Sequence, residues 1–276
     1  MTANINLHRV KEWQGLRGFV NLFHKENRAW WKTRRWWINA LLWMGVLGGL
    51  ASVMLFMLPA VAATNDSPEV AAAGGAEAFG FQMAYTIFFE MGTMALALGV
   101  IVLNLDQILD EKQAGVTEWL LAKPVARRSY VLAKLAASIL ATLVLLILLP
   151  ASVMYLLLSI RTGGPMPLQS FLYGVGIMTL HTMFYLVFTL MLGTFFNTRA
   201  PILGVALAFL MAGNLIGGFI RPLMVISPWI LPKSASLIAS GSSLPDGMLT
   251  APLIATGLWC LFFVFVALRK FEKMEL

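Results

Sequence analysis

Six stretches of this chain are apolar, nearly free of charge and long enough to cross a lipid bilayer. They run over about residues 37–63, 81–105, 130–160, 168–196, 200–220 and 250–268. A helix rises about 1.5 Å per residue, so each stretch covers a hydrocarbon core of about 30 Å. Too little polar sequence remains between them for a soluble domain. Of the whole chain 59% is apolar and 12% charged, against roughly 45–50% and about 25% in soluble domains. The expected fold class is all-α integral membrane, with six transmembrane helices.

Lysine and arginine set the orientation. With the N-terminus inside, 17 of them fall on the inner side and 3 (Arg161, Arg221 and Lys233) on the outer side. Cytoplasmic loops carry that excess, so both termini are expected in the cytoplasm. The segment 64–80 agrees, with Asp66, Glu69 and Glu77 and no basic residue. The net charge of +7 therefore points to the inner surface of the cell membrane and not to nucleic acid. Ala60-Val61-Ala62 resembles a signal-peptidase site, but the basic region before it is 36 residues long, and a signal's apolar stretch is about 7–15 residues. The first span reads as an uncleaved anchor. Cys260 stands alone, which leaves no intrachain disulfide and no thiolate metal site.

Three segments are not spans. Before the first, Leu7, Val10, Trp13, Leu16, Val20 and Phe23 recur at helical spacing among Arg9, Lys11, Arg17 and Lys25. Such a helix lies in the headgroup layer. Trp30, Trp31, Trp36 and Trp37, with Lys32, Arg34 and Arg35, follow as an interfacial belt. Residues 1–36 form this cytoplasmic part and 37–276 the transmembrane domain. The loop 106–134 has charged flanks around Trp119, Leu120 and Leu121; Gly115 breaks the entering helix and Pro124 stops a short second one. Its apolar patch either dips into the interface or docks on a partner. The outer segment 221–249 holds Pro222, Pro228, Pro232 and Pro245 among apolar residues. It is expected to form short helices dipping into the outer leaflet under a cover of protein.

The loop also carries a pattern. Asp106 and Glu111 end the second span, followed by Gly115, Thr117, Glu118, Leu120, Leu121, Pro124, Arg127 and Lys134. In these residues the chain resembles the permease subunits of ABC-2-type transporters. One departure is Val116, directly after the glycine, where the family has its threonine. Lys25-Glu26 with the basic-aromatic run, and Ser227-Pro228, are similar to the family as well. The resemblance implies two six-helix permeases, alike or related, around one route, each bound to a cytoplasmic ATPase through a coupling helix. That helix would be 115–122, with Gly115, Thr117, Glu118, Trp119, Leu120, Leu121, Pro124 and Arg127 as the ATPase-coupling residues. The N-terminal amphipathic helix would be the elbow helix, and 221–249 the outer gate. ATP and magnesium would sit on the ATPase. This chain has no G-x-x-x-x-G-K-[ST] loop to cradle phosphates, so no catalytic residue, cofactor or metal is assigned to it.

Glu90 lies inside the second span and His181 inside the fourth, and ionisable groups at that depth hint at function. They form either a polar site for protons or substrate, or a structural pair in which a neutral Glu90 bonds to a neighbouring helix, His181 being one candidate. Gly213 and Gly217 make a G-x-x-x-G helix-packing motif. Two other functions compete. A proton-coupled secondary transporter would use Glu90 and His181, but no internal repeat is visible. An intramembrane enzyme would need an H-E-x-x-H or G-x-S-x-G motif, and the chain has neither.

Overall fold

In the computed structural model the described residues are 16–64, 67–113, 125–216, 221–244 and 249–273. Among them the chain is helical and has no strand, as the apolar periodicity requires. Helix α1 (Phe19–Trp31) is followed by α2 (Arg35–Ala62) and the short α3 (Pro68–Ala73). Helix α4 is continuous through Ala76–Tyr85, Thr86–Met91 and Gly92–Asn104, and a turn leads to α5 (Leu109–Gln113). Next come α6 (Arg127–Thr162), α7 (Leu168–Phe195) and α8 (Arg199–Ile216). The outer segment breaks into α9 (Arg221–Ile226), a 3₁₀ turn (Pro228–Ile230) and α10 (Leu231–Ala239) before α11 (Thr250–Glu272).

Five of these stretches are long and apolar enough to span a bilayer: α2, α4 with α5, α6, α7 and α11. Helix α8 is apolar and shorter, and 217–220, the end of the expected fifth span, lie outside the described residues. The 64–80 connection is largely helical, because Ser67 caps Val70 N–H at the start of α3 and α4 begins by Ala76. Trp30, expected in the interfacial belt, is 4% exposed and lies inside the protein.

Three spans contain a π-helical stretch: Val53–Met57, Thr86–Met91 and Thr142–Leu148. The first and last run up to Pro59 and Pro150. Proline removes a backbone donor and clashes with the preceding turn, and a widened turn absorbs the clash. Thr86–Met91 has no proline near it.

Helix α7 is at the centre, packed by α4, α8, α10 and α11, and buried along most of its length. Lipid is as apolar as leucine, so contact shape and polar bonds, not hydrophobicity, hold helices together here. Phe184, Phe188, Phe209, Phe263 and Trp229 interlock where α7, α8, α11 and the outer segment meet, with ring centroids 5.1–5.6 Å apart. Helix α11 turns Ile254, Leu258, Leu261, Phe262 and Phe265 outward. That stripe suits lipid contact and would be a liability in water.

Two tryptophan side chains hold the broken segment between α8 and α11 in place. Trp259 Nε1 donates to the Ile226 carbonyl at 3.0 Å, where α9 ends. Trp229 Nε1 donates to the Phe209 carbonyl at 3.0 Å. Helix α10 lies directly on α7 at Gly174, where a Cβ would stand 2.6 Å from Ala239 Cβ and 2.9 Å from the Ala235 carbonyl.

Candidate functional site

The loop core that carries the family pattern, 114–124, lies outside the described residues, and with it Gly115, Thr117, Glu118, Trp119, Leu120, Leu121 and Pro124. Both ends of the loop are described, and each is fastened to several helices.

At the entry, Glu111 of α5 meets Lys25 and Glu26 of α1 and Tyr130 and Lys134 of α6. Lys25 Nζ is 2.6 Å from Glu111 Oε1 and 3.4 Å from Glu26 Oε1. Lys134 Nζ is 3.2 Å from Glu26 Oε1 and 3.1 Å from Glu111 Oε2. The Tyr130 hydroxyl donates to Glu111 Oε2 at 2.6 Å. Two ammonium groups and two carboxylates thus cancel across three elements. Lys134 is 3% exposed, Glu26 13%, Glu111 19% and Lys25 48%. The first three are desolvated enough that each depends on its partners. Burial opposes the charge on Lys25, but the hydrogen bond and charge of Glu111, and then Glu26, outweigh it and hold the ammonium pKa above its ordinary 10.5.

A second, more exposed clasp joins the same turn to the start of α8. Arg199 lies 2.6 Å from Asp106 and 3.0 Å from Asp110, and Gln113 donates to the Asn197 carbonyl at 3.1 Å. At the loop's exit, Ala126 N–H donates to the Arg17 carbonyl at 3.1 Å, tying it to the approach to α1. Arg127 donates to the Glu272 carbonyl at 2.9 Å, and Arg128 pairs with the Glu272 carboxylate. The Tyr130 and Phe271 rings stack 5.0 Å apart. The entry to the loop is thus bonded to α1, α6 and α8, and its exit to the approach to α1 and to α11.

The sequence pointed to Lys25-Glu26, Glu111, Arg127 and Lys134 one by one, and the structure brings all but Arg127 into one cluster. That Lys25 and Glu26 close on Glu111 and Lys134 was not foreseen. The available signal was a lysine, Lys134, the fifth residue of the apolar stretch that opens at Tyr130, where a charge needs a partner.

Glu90 and His181 line one cavity of about 210 Å³ between α4, α7, α8 and the outer segment. No hydrogen bond joins them among the described residues. His181 is 1% exposed, and its Nδ1 has no partner. Gly213 faces the same cavity, and a Cβ there would stand 2.5 Å from the Trp229 ring, so it makes room for the outer segment. Gly217 lies outside the described residues.

Comparison with known proteins gives one match: residues 20–276 fit the family described as ABC-2 family transporter protein. No curated protein matches the chain.

Proposed function

The chain belongs to the ABC-2 transporter family, and from that premise we propose that it is the membrane-spanning permease subunit of an exporter powered by a separate ATPase. Residues 200–220, which include most of α8, are the fifth of six spans, and the termini are cytoplasmic. Two such subunits, identical or related, enclose the route. ATP and magnesium are held by the ATPase chains. Residues 115–122 are the coupling helix, the N-terminal amphipathic helix within 1–36 is the elbow helix beside it, and 221–249 form the outer gate.

The observation that carries this reading is the double fastening of the loop 114–124. A loop that merely rested on the bilayer would have no need to be tied at both ends to several helices. A loop that takes a push from an ATPase must pass it on. When the ATPase dimer closes, the coupling helix moves with it, and the buried cluster carries the displacement into α1, α4 and α6 before solvent can dissipate it. The outer end responds because α4 also contacts α10.

Trp119, Leu120 and Leu121 form the apolar centre of the docking surface, and Glu118, Lys123 and Arg127 its charged rim. Centres carry most binding energy, and rims set register. Leu120→Asp is therefore expected to abolish co-purification with the ATPase or uncouple its turnover, while Lys123→Ala changes little and both variants insert normally. Full binding and turnover in Leu120→Asp would reduce the loop to a membrane contact.

A further inference from the structure

The cavity at His181 has a larger neighbour of about 710 Å³, lined by Ala73, Met166 and Ser240 from the connections on the side opposite the loop clasps. The two cavities share two residues, Glu90 of α4 and Lys233 of α10. The larger volume lies within the roughly 300–1,000 Å³ of small-molecule sites.

Glu90 and Lys233 carry opposite charge, yet neither forms an ion pair or hydrogen bond with another described residue. The other titratable groups on the walls are Tyr85, Tyr185 and His181. A charge at Glu90, inside the long apolar α4, is costly unless something completes it, and Lys233, at an exposed position on α10, is the cation that lines both cavities with it. Two further observations point to a ligand. Glu90 sits in the one π-helical stretch that no proline explains, and such widened turns often serve sites. His181 lines the inner cavity, and its buried Nδ1 has no hydrogen-bond partner among the described residues.

A simple cation would satisfy Glu90 and leave Lys233 open, and a simple anion would do the reverse. Resting on the permease reading above, we propose that Glu90 and Lys233 are the two poles of a binding site for a zwitterion. Its ammonium lies on Glu90, and its phosphate or carboxylate lies on Lys233. A polar group entering the inner cavity meets His181. Phospholipid headgroups and short peptides share this chemistry.

Equilibrium dialysis of the full chain in detergent tests the site, with glycerophosphoethanolamine and glycylglycine as zwitterions and ethanolamine and glycerol phosphate as single-charge probes. At least one zwitterion is expected to bind about tenfold or more tightly than either single-charge probe, since a hydrogen bond to a charged group is worth about that factor. Glu90→Gln and Lys233→Gln should each forfeit that advantage and Lys233→Arg keep it, with melting curves without ligand verifying the fold. If Glu90→Gln does not fold, the Lys233 variants, at an exposed position, carry the test. A preference for glycerophosphoethanolamine assigns the site to a lipid headgroup, and one for glycylglycine to a peptide. Equal binding of single-charge probes, no binding of either zwitterion, or unchanged binding by the neutralised variants overturns the proposal. Dialysis needs no ATPase, so a failure here leaves the permease assignment standing, and the absence of an ATPase partner leaves this site standing.

Discussion

An ammonium group held almost out of solvent needs its counter-charges to stay in place, and Lys134 has two, Glu26 at 3.2 Å and Glu111 at 3.1 Å. Removing one member of a buried ion cluster typically costs about 3–5 kcal/mol, mostly through the charge left behind. Lys134→Met should fall toward the low end of that range, because Lys25 still lies 2.6 Å from Glu111. The measurement is an apparent melting temperature in detergent. Adding Glu111→Gln to Lys134→Met should recover part of the loss, since it removes a carboxylate that has lost one counter-ion and leaves the Tyr130 hydroxyl an acceptor. Independent effects of the two changes would mean that the groups are not coupled. Arg199→Ala should leave the melting temperature nearly unchanged, because Arg199 and Asp110 are both more than half exposed and surface pairs contribute little.

At the level of elements, the outer segment depends on how closely α10 can approach α7. Gly174→Ala would place a methyl group 2.6 Å from Ala239 Cβ and 2.9 Å from a carbonyl oxygen, and backbone must move. Overpacking of this kind costs about 1–3 kcal/mol. Gly176, two residues on, has open space around its missing Cβ. Gly176→Ala should be neutral or gain up to about 1 kcal/mol from the better helix former. Opposite shifts of melting temperature from two glycines on one helix would assign the difference to the α10 contact; equal shifts would contradict it. The broken character of 221–249 was legible from its prolines, and the long spans from the run of apolar residues, since both signals are local. What Gly174 is for was not legible, because an approach between segments some 60 residues apart leaves no mark on either. The burial of Trp30 was not legible for a related reason: a tryptophan among basic residues has an interfacial composition whether its ring meets headgroups or the rest of the protein. The Lys25–Glu26–Glu111–Lys134 cluster was visible only as separate charges, since charge pairing across 86 and 108 residues of chain follows from the packing of α1 on α6.

Across the whole molecule the connections sort into two faces. On one, Gln113 reaches Asn197, Arg199 reaches Asp106, Ala126 reaches Arg17, and Arg127 reaches Glu272. On the other, Arg161 pairs with Glu77, and Ala73, Met166 and Ser240 border one cavity. Helices α4, α6 and α7 each run from one face to the other, so topology reduces to a single choice of which face is inside. The sequence count of 17 basic residues against 3 predicts that the face of Gln113 is the inner one. Single cysteines at Ser67, Ser242 and Gln113, each in a Cys260→Ala background, test this in intact cells with a membrane-impermeant maleimide. Gln113 is exposed, so its loss of one bond to Asn197 should not disturb the fold. Ser67→Cys and Ser242→Cys are expected to label, and Gln113→Cys to label only after permeabilisation. The inverse pattern would turn the chain over while keeping its two faces. Labelling of Gln113→Cys together with Ser67→Cys in sealed cells would break the two-face arrangement. The loop 114–124 would then not lie in the cytoplasm, where an ATPase could reach it.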